Sequence, residues 1–432
     1  MRAVLSFVYR NIKFFEGLLT SVSAALLILC AVFLCMNSPY NFILEETFAR
    51  GTSLAEDVFK SDNELAYNID DILFIDVSGS NALLEQGRGN QVIADRSKLD
   101  TLFQILRQPV NQKQVVVCDL YFDVPSAQDS SLQATMSAIP NLISTVKTGW
   151  SRDITPNVIR AGATGVSGFR NLKEPFLLFS NSLLKFSLTD PNCIKSVPLL
   201  IYEKVNGQGS ACFGDALHMG TDWYFNTVLI KEQLSREVAK AVYEDQVIPI
   251  QRLIDEAKAR GIPYLNALGK KKFIMIGNFE KDIHKTTFGD RPGPLVLFDI
   301  FLSLQQRENR ISTLWLITAI CFFTFLCYKK FYHVHLFGGY TRWIDDRMKV
   351  LGFKRPLDFN WLIMYGFVLF SAVFFKVYLE YIAALVFFYV FAWSRIYVKT
   401  RRIRWMQLRK NGVEMGPGTL FSLLFRKPGF KH

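Results

Sequence analysis

Acidic side chains follow two apolar segments of the chain, and they are the residues whose types and spacing could do chemistry. Asp76 ends the run "ILFID", Asp119 ends the run "VVVCD", and Asp123 and Asp129 lie shortly after Asp119. Short β-branched runs predict buried strands, and ligands in open α/β sheets bind beyond the carboxyl ends of such strands. The two strands are predicted to be adjacent, which would bring the carboxylates of Asp76 and Asp119 within several Å of each other.

Two uses of these four carboxylates are open. A close pair can share Mg²⁺ or Ca²⁺, which favour oxygen ligands, or a proton if the pKa of one carboxyl is raised. Each carboxylate can instead cap the following helix or accept hydrogen bonds from loop amides. We expect the structural use, and hence no catalytic residue, no metal and no cofactor. A metal-dependent hydrolase that uses Asp76 and Asp119 is retained as an alternative.

The segments around these residues alternate between strands and helices. Strands are predicted at "DDILFIDVSG", "QVVVCDLYF" and "KKFIMIGNF", and helices at "SKLDTLFQILRQ", "SSLQATMSAI" and "PLVLFDIFLSLQQ". Apolar strands interleaved with helices predict an α/β domain with a mainly parallel sheet that is covered on both faces. Later in this domain, Cys193 and Cys212 flank a segment that predicts a β-hairpin, and they are candidates for a disulfide in an oxidising compartment.

The excess of positive over negative charge is confined to the regions that flank long apolar stretches. The formal net charge of the chain is +12. Residues 1–36 carry +2, residues 311–432 carry +13, and the 274 residues between them carry −3. This distribution is typical of a membrane protein whose basic loops stay in the cytoplasm, and it removes the main support for nucleic-acid binding.

Four apolar segments predict membrane-spanning helices. Segment 18–36 is uncharged and long enough to cross a hydrocarbon core of about 30 Å. The basic tail "KTRRIRWMQLRK" belongs on the cytoplasmic side, which requires an even number of spans. The predicted order is cytoplasmic N-terminus 1–17, span 18–36, periplasmic domain 37–310, span 311–328, basic cytoplasmic loop 329–358, spans 359–376 and 378–397, and basic cytoplasmic tail 398–432.

The last two spans form a tight hairpin in this prediction, although no Gly or Pro lies between Val368 and Val398 to make the turn. Lys376 and Glu380 fall at that turn. Inside the hydrocarbon they would mark a packing or ion-path function, whereas at the interface they would simply extend to water. We favour the interfacial position.

The tail mixes basic and aromatic residues, namely Arg401, Arg402, Arg404 and Trp405. This composition suits contact with anionic lipid headgroups or with a protein partner better than contact with nucleic acid.

The order of these segments resembles CHASE2, a family of bacterial extracytoplasmic sensory domains. The opening pattern of the family is matched by Asp71, "ILFID", a helix, "VVVCDLYFDVPSAQD" and Leu132, and the closing pattern by "GKKKFIMIGNFEKDIHKTTFGDRPGPLVLF". CHASE2 domains typically follow one span and precede three more, which is also the arrangement predicted for this chain. The resemblance covers roughly residues 40–400. It implies an α/β sensory domain that reports through its membrane helices.

The predicted function is therefore that of a bacterial inner-membrane protein without enzymatic activity. Its periplasmic domain would sense a signal or dock a periplasmic component, and its membrane helices would pass the change on. Because the cytoplasmic segments are too small for a catalytic domain, the expected partners are other membrane proteins or a separate cytoplasmic effector, with a homo-oligomer also open. The alternative is a non-sensing structural subunit of a multi-protein cell-envelope complex.

Overall fold

The structure, a computed structural model, divides into two compact units. It describes residues 2–37, 43–59, 69–86, 89–108, 114–148, 154–155, 157–167, 182–190, 192–214, 216–231, 246–332 and 360–410. The helical unit comprises Met1–Cys35, Thr313–Phe367 and Leu379–His432, and the α/β unit comprises Met36–Ser312 and Val368–Tyr378.

Helices occur in both units, and local sequence explains where several of them begin and end. Helix α3 begins after Asp95, whose carboxylate accepts hydrogen bonds from the amides of Ser97 and Lys98 and so caps the helix. The described helices are α1 (Arg2–Met36), α2 (Ile43–Phe59), α3 (Arg96–Leu106), α4 (Asp129–Ser137), α5 (Val197–Asn206), α6 (Ile250–Arg260), α7 (Ile262–Gly269), α8 (Gly293–Gln305), α9 (Thr313–Tyr332), α10 (Asn360–Phe375) and α11 (Tyr381–Lys410).

The strands belong to the α/β unit and are short. They are β1 (Ile72–Asp76), β2 (Asn81–Gln86), β3 (Gly89–Ala94), β4 (Val115–Asp119), β5 (Leu142–Thr148), β6 (Ile154–Thr155), β7 (Ala163–Val166), β8 (Lys185–Ser187), β9 (Ser210–Phe213), β10 (Ala216–Met219), β11 (Asp222–Phe225), β12 (Thr227–Leu229), β13 (Val247–Pro249), β14 (Phe273–Gly277), β15 (Ile283–Thr286), β16 (Gly289–Pro292) and β17 (Arg310–Ile311).

A parallel sheet forms the centre of the α/β unit. Its parallel strands stand in the order β13-β1-β14-β4-β5-β7, and the short β6 pairs with β5 in the antiparallel direction. The prediction of a mainly parallel sheet is therefore confirmed. Strand β14, which comes late in the chain, is inserted between β1 and β4.

Both faces of this sheet are covered, because alternate residues of each central strand point to opposite sides. On one side, Phe74 and Met275 pack among residues of α5 and α8. On the other side, Ile75 and Ile276 pack among residues of α3, α4 and α6. Helix α8 is apolar around most of its circumference, and this fits its burial from Gly293 to Leu304.

The candidate disulfide is present in the α/β unit. Cys193 and Cys212 are bonded, with their α-carbons 5.7 Å apart. The segment between them contains helix α5 and not the predicted hairpin. Pro198 near its start and Gly207 after its end, with φ 64°, are typical helix-boundary residues, so the apolar stretch between them forms a helix.

The helical unit contains three helices that are long and apolar enough, by length and composition, to cross a membrane among the residues described. They are Phe14–Met36, Thr313–Tyr332 and Tyr381–Val398. Helix α10 is also apolar but has 16 residues, which corresponds to about 24 Å at the usual helical rise. Its Phe367 ring stacks on Phe322 of α9 with centroids 3.9 Å apart.

Candidate functional site

Three strands of the parallel sheet end together at the edge where ligands would be expected. In the register of the sheet, Asp76 of β1 stands beside Gly277 of β14, and Gly277 stands beside Asp119 of β4. The prediction that β1 and β4 are neighbours is wrong, because β14 separates them. With adjacent strands about 4.8 Å apart, the α-carbons of Asp76 and Asp119 lie roughly 10 Å from each other.

Asp76 has a structural role in the fold. Its carboxylate accepts hydrogen bonds from the Ser78 amide at 2.9 Å, the Ser78 hydroxyl at 2.6 Å and the Phe279 amide at 3.1 Å. These bonds tie the turn after β1 to the turn after β14. This is the structural use expected for a carboxylate at a strand end.

The start of α8 packs against Gly277, the residue that stands between Asp76 and Asp119 in the register of the sheet. The ring of Pro294 lies so close to Gly277 that a β-carbon added at Gly277 would overlap it, and that β-carbon would stand 3.6 Å from the β-carbon of Asp119. A glycine at this position therefore lets α8 approach the sheet.

Replacing Gly277 by alanine is expected to lower the free energy of unfolding by about 1–3 kcal/mol, because the added methyl group must displace α8 from the sheet. The measurement is chemical denaturation of the full chain in detergent. Gly79→Ala is the matched control, since nothing lies within 4 Å of a β-carbon at Gly79. Equal stability of the two variants would contradict the close packing of Pro294.

Asp119 is the sheet-edge carboxyl with an unusual environment. Only 8% of the residue is exposed. Burial, and then the charge of Asp282, raise the pKa of Asp119 to about 7, although a hydrogen bond with Thr145 opposes the rise. A carboxyl of this kind exchanges its proton near neutral pH.

Two further pairs each contain a residue that interacts electrostatically with Asp119, namely Asp282 and Tyr121. His284 and Asp282 form a contact of 3.0 Å between Nε2 and Oδ1. The hydroxyl groups of Tyr121 and Ser167 share a hydrogen bond. Burial, and then the charge of Asp119, raise the pKa of the Tyr121 hydroxyl. Within the described part of the chain, no group of three His, Cys, Asp or Glu side chains is placed to hold a metal ion.

Asp123 and Asp129 have different positions. Asp123 is exposed. Asp129 begins α4, and its carboxylate contacts the Arg96 guanidinium at 3.2 Å and accepts a hydrogen bond from the Ser126 amide at 2.7 Å. The Arg96 guanidinium also lies 4.4 Å from the centre of the Phe122 ring. Asp129 therefore neutralises a buried cation.

Asp282 and His284 were not predicted as site residues from the sequence. They lie in the segment "NFEKDIHK", which directly follows β14. The strand β14 itself had been predicted. Because parallel strands end at one edge, residues that follow β14 were bound to meet those that follow β4. The order of the strands in the sheet was the missing information.

A second polar site lies in the α/β unit, and we call it the junction cluster: Glu45, Glu56, Lys231, Glu308, Asn309 and Tyr378. All six residues are buried. The Lys231 ammonium contacts the Glu56 carboxylate at 2.9 and 2.7 Å and the Glu308 carboxylate at 3.5 Å. Burial alone would lower the pKa of Lys231, but the charges of Glu308 and Glu56 outweigh burial and raise it.

Asn309 connects three segments of the junction cluster through its backbone and side chain. Its amide donates to the Lys376 carbonyl at 2.8 Å, and its side-chain amide donates to the Thr227 carbonyl at 2.8 Å. Its Oδ1 accepts a long hydrogen bond of 3.5 Å from the Tyr378 amide. The residue has φ 57°, a left-handed conformation that asparagine tolerates better than most residues.

The Tyr378 hydroxyl donates a hydrogen bond to the Glu45 carboxylate. As a result, four stretches of the chain meet in the junction cluster. They are α2, the residues after β12, the residues that precede α9, and the turn between α10 and α11. The junction cluster was not predicted from the sequence, because its members are far apart along the chain.

The turn between α10 and α11 is made by Lys376, which has φ 56°. A lysine in the left-handed conformation thus does what a glycine would usually do. The turn is also held by Ser371, whose hydroxyl donates to the Val377 carbonyl at 2.7 Å and whose carbonyl accepts from the Val377 amide at 3.2 Å. Glu380 lies just before α11, and its side chain is buried. Because the chain is not helical between α10 and α11, Lys376 and Glu380 do not lie one helical turn apart, although they are four residues apart in the sequence.

Replacing Lys376 by valine is expected to lower the free energy of unfolding by about 1–2 kcal/mol, since a β-branched residue resists the left-handed conformation. Lys376→Asn should stay close to the wild type, because asparagine accepts that conformation. Thermal unfolding in detergent would compare them. Lys281→Val, at an exposed turn without positive φ, controls for loss of the charge. Equal losses for valine and asparagine at Lys376 would contradict the conformational explanation.

The basic tail residues predicted to contact lipid lie in α11. The Arg401 guanidinium stands 5.0 Å from the centre of the Tyr397 ring. The side chains of Arg402, Arg404 and Trp405 lie outside the described part of the structure.

Comparison with known proteins gives no relative for this chain. No family model, no curated protein and no solved structure matches it. Its function must therefore be argued from the two polar sites and the apolar helices.

Proposed function

We propose that this chain is a bacterial inner-membrane protein whose α/β domain lies in the periplasm and passes a change of state to its membrane helices. The domain, of the CHASE2-like kind, would sense a signal or dock a periplasmic component. A separate partner, either another membrane protein or a cytoplasmic effector, would receive the change. The proposed role is not catalytic, and it is supported by the structural use of Asp76 and by the position of β14 between the strands that carry Asp76 and Asp119.

Membrane insertion is supported by the three long apolar helices and by the distribution of charge. We propose α10 as the fourth span, which leaves both termini in the cytoplasm. Its 16 residues are fewer than a typical span needs, but neighbouring polar residues and local thinning of the bilayer can accommodate a short helix. The basic residues that follow α9 and those of the tail would then lie on the same side.

Transmission is supported by one observation above the others. Asn309, which lies just before α9, holds the turn between α10 and α11 through its amide and its side chain. Asn309 is thus followed along the chain by α9, and it is hydrogen-bonded to Lys376 and Tyr378 of the turn between α10 and α11. A rearrangement of the α/β domain that moves Asn309 must move this turn or break its bonds.

A docking role, as in a structural subunit of an envelope complex, has an observation of its own. In the hairpin formed by β2 and β3, Leu83 and Val92 stand directly opposite each other, and they are 68% and 59% exposed. Exposed apolar side chains that are neighbours on one face of a sheet can form part of a surface that binds protein. This alternative also places the domain in the periplasm.

Orientation can be tested with an epitope after His432 and protease treatment of spheroplasts. Four spans predict that the epitope survives while residues 37–310 are digested. Three spans predict that the epitope is lost together with the domain. Survival of both after complete lysis would show only protease resistance, so a lysed sample that loses the epitope is the required control.

The two roles can be separated by gentle detergent extraction, size analysis and mass spectrometry of the proteins that co-purify. A structural subunit predicts partners in fixed ratio that are lost in Leu83→Ser/Val92→Ser. A sensor predicts that binding of a partner depends on Asn309 and changes in Asn309→Gly, which keeps the left-handed backbone conformation. A chain that extracts alone and unchanged in both variants would contradict both roles.

A further inference from the structure

The antiparallel sheet of the α/β unit has one face in the core, and its opposite face is exposed at Trp223 and Phe213, although Phe225 on that face is buried. Its strands stand in the order β17-β11-β10-β9. Leu217, Met219 and Tyr224 point into the core. Residues that stand directly opposite each other share a face, so Trp223, its partner His218 and the next partner Ala211 lie together on the outer face.

Aromatic rings are gathered on this outer face. Trp223 is 42% exposed and Phe213 is 59% exposed. The centre of the Trp223 ring is 5.3 Å from that of Phe213 and 5.0 Å from that of His218. In the register of the four strands, the residues of this face include no Asp, Glu, Lys or Arg. Exposed rings in mutual contact usually mark a surface that meets an apolar environment.

The apolar environment that this face meets is indicated by its position along the chain, close to the start of α9. Trp223 pairs with Ile311 of β17, and Ile311 precedes the first residue of α9, Thr313, by two residues. One cross-strand distance and two residues of extended chain amount to about 12 Å at most. The headgroup layer on each side of a bilayer is roughly 5–8 Å thick.

The pairing of β17 with β11 is fixed by charge as well as by backbone bonds. The Arg310 guanidinium contacts the Asp222 carboxylate at 2.8 Å. Arg310 stands opposite Tyr224, so it faces away from the aromatic rings. The strand that leads into α9 is thereby locked to the strand that carries Trp223.

We propose that the aromatic face of β9, β10 and β11 rests in the headgroup layer of the membrane that α9 crosses. The inference rests on the proposed insertion of α9. Tryptophan is favoured in this layer because its ring is apolar and its N–H finds hydrogen-bond partners there. The face would fix how the α/β domain stands on the bilayer, and so define the surface against which the domain moves.

The test is tryptophan fluorescence of the full chain in vesicles of phosphatidylethanolamine and phosphatidylglycerol. The chain has seven tryptophans, so the contribution of Trp223 is taken as the difference between the wild type and Trp223→Phe. Quenchers are a lipid with a nitroxide on its headgroup and water-soluble acrylamide. Trp393 of α11, which is 68% exposed, supplies a reference through Trp393→Phe.

The proposal predicts that the headgroup nitroxide removes most of the Trp223 signal and that vesicles protect this signal from acrylamide. Quenching by acrylamide alone would place the face in water and overturn the proposal. Protection from acrylamide without nitroxide quenching would mean that a protein, such as a second copy of this chain, covers the face, and would also overturn it. In either case, quenching of Trp393 by lipid nitroxides would still support the proposed membrane insertion. Absence of Trp393 quenching would contradict the membrane insertion as well.

Discussion

Replacing Lys231 by methionine is expected to lower the free energy of unfolding by about 3–5 kcal/mol, because the change leaves two carboxylates buried without their cation. Glu56 and Glu308 both contact the Lys231 ammonium, and all three residues are buried. Methionine keeps most of the side-chain volume, so the loss would report charge and not packing. Chemical denaturation of the full chain in detergent is the measurement.

Two controls make this result specific. Lys281→Met, at an exposed position, should change the free energy of unfolding by less than about 0.5 kcal/mol. The triple variant Lys231→Met/Glu56→Gln/Glu308→Gln should recover much of the loss, because replacing all members of a buried ionic cluster by neutral groups is often tolerated. If Lys231→Met behaved like the surface control, the buried ion cluster would not exist in solution.

The second large effect concerns pH. The carboxyl of Asp119 has an ordinary pKa of 3.8, whereas in the folded chain its pKa is raised to about 7. Because the folded state holds this proton more tightly than the unfolded state, the stability of the domain falls as pH rises from about 4 to about 7. The difference between the two pKa values corresponds to a loss of up to about 4 kcal/mol over that range.

Asp119→Asn should abolish this part of the pH dependence, since the amide does not titrate. Above about pH 7 the variant should be more stable than the wild type by as much as ~4 kcal/mol, and near pH 4 the two should converge. Denaturation curves collected across this range measure the effect. Asp123→Asn, at an exposed carboxylate near the same edge, should leave the wild-type profile unchanged. A profile that stays the same in Asp119→Asn would show that Asp119 is ionised as easily in the folded chain as in the unfolded one.

Much of the parallel sheet could be predicted from local pattern. The runs that end in Asp76, Asp119 and Gly277 are short, β-branched and unbroken, and each forms a strand that is buried on both faces. Helix α8 was also predicted, from the segment "PLVLFDIFLSLQQ". These elements depend mainly on the residues that form them.

The rest depends on residues that meet only after folding. The insertion of β14 between β1 and β4 separates Asp76 from Asp119, and no local feature of β1 or β4 signals it. The segment that forms α5 was predicted as a hairpin, although Pro198 and Gly207 mark a helix start and end. The turn at Lys376 lacks the glycine that usually reveals such a turn.

The candidate sites show the same division. Asp119 was predicted as a site residue because strand ends can be recognised, but Asp282 and His284 were not, since their proximity depends on strand order. The junction cluster could not be predicted, because Glu45 and Tyr378 are 333 residues apart along the chain and meet only through the fold.

The central claim is that the α/β domain holds the turn between α10 and α11 through Asn309. Hydrogen–deuterium exchange of the full chain in bilayer nanodiscs, comparing the wild type with Asn309→Gly, tests it most directly. Asn192→Gly, at an exposed position, is the control. The account predicts faster exchange at Tyr378, whose amide loses its acceptor, together with faster exchange at the start of α11. Unchanged exchange throughout residues 368–384, with changes only near Thr227, would contradict it.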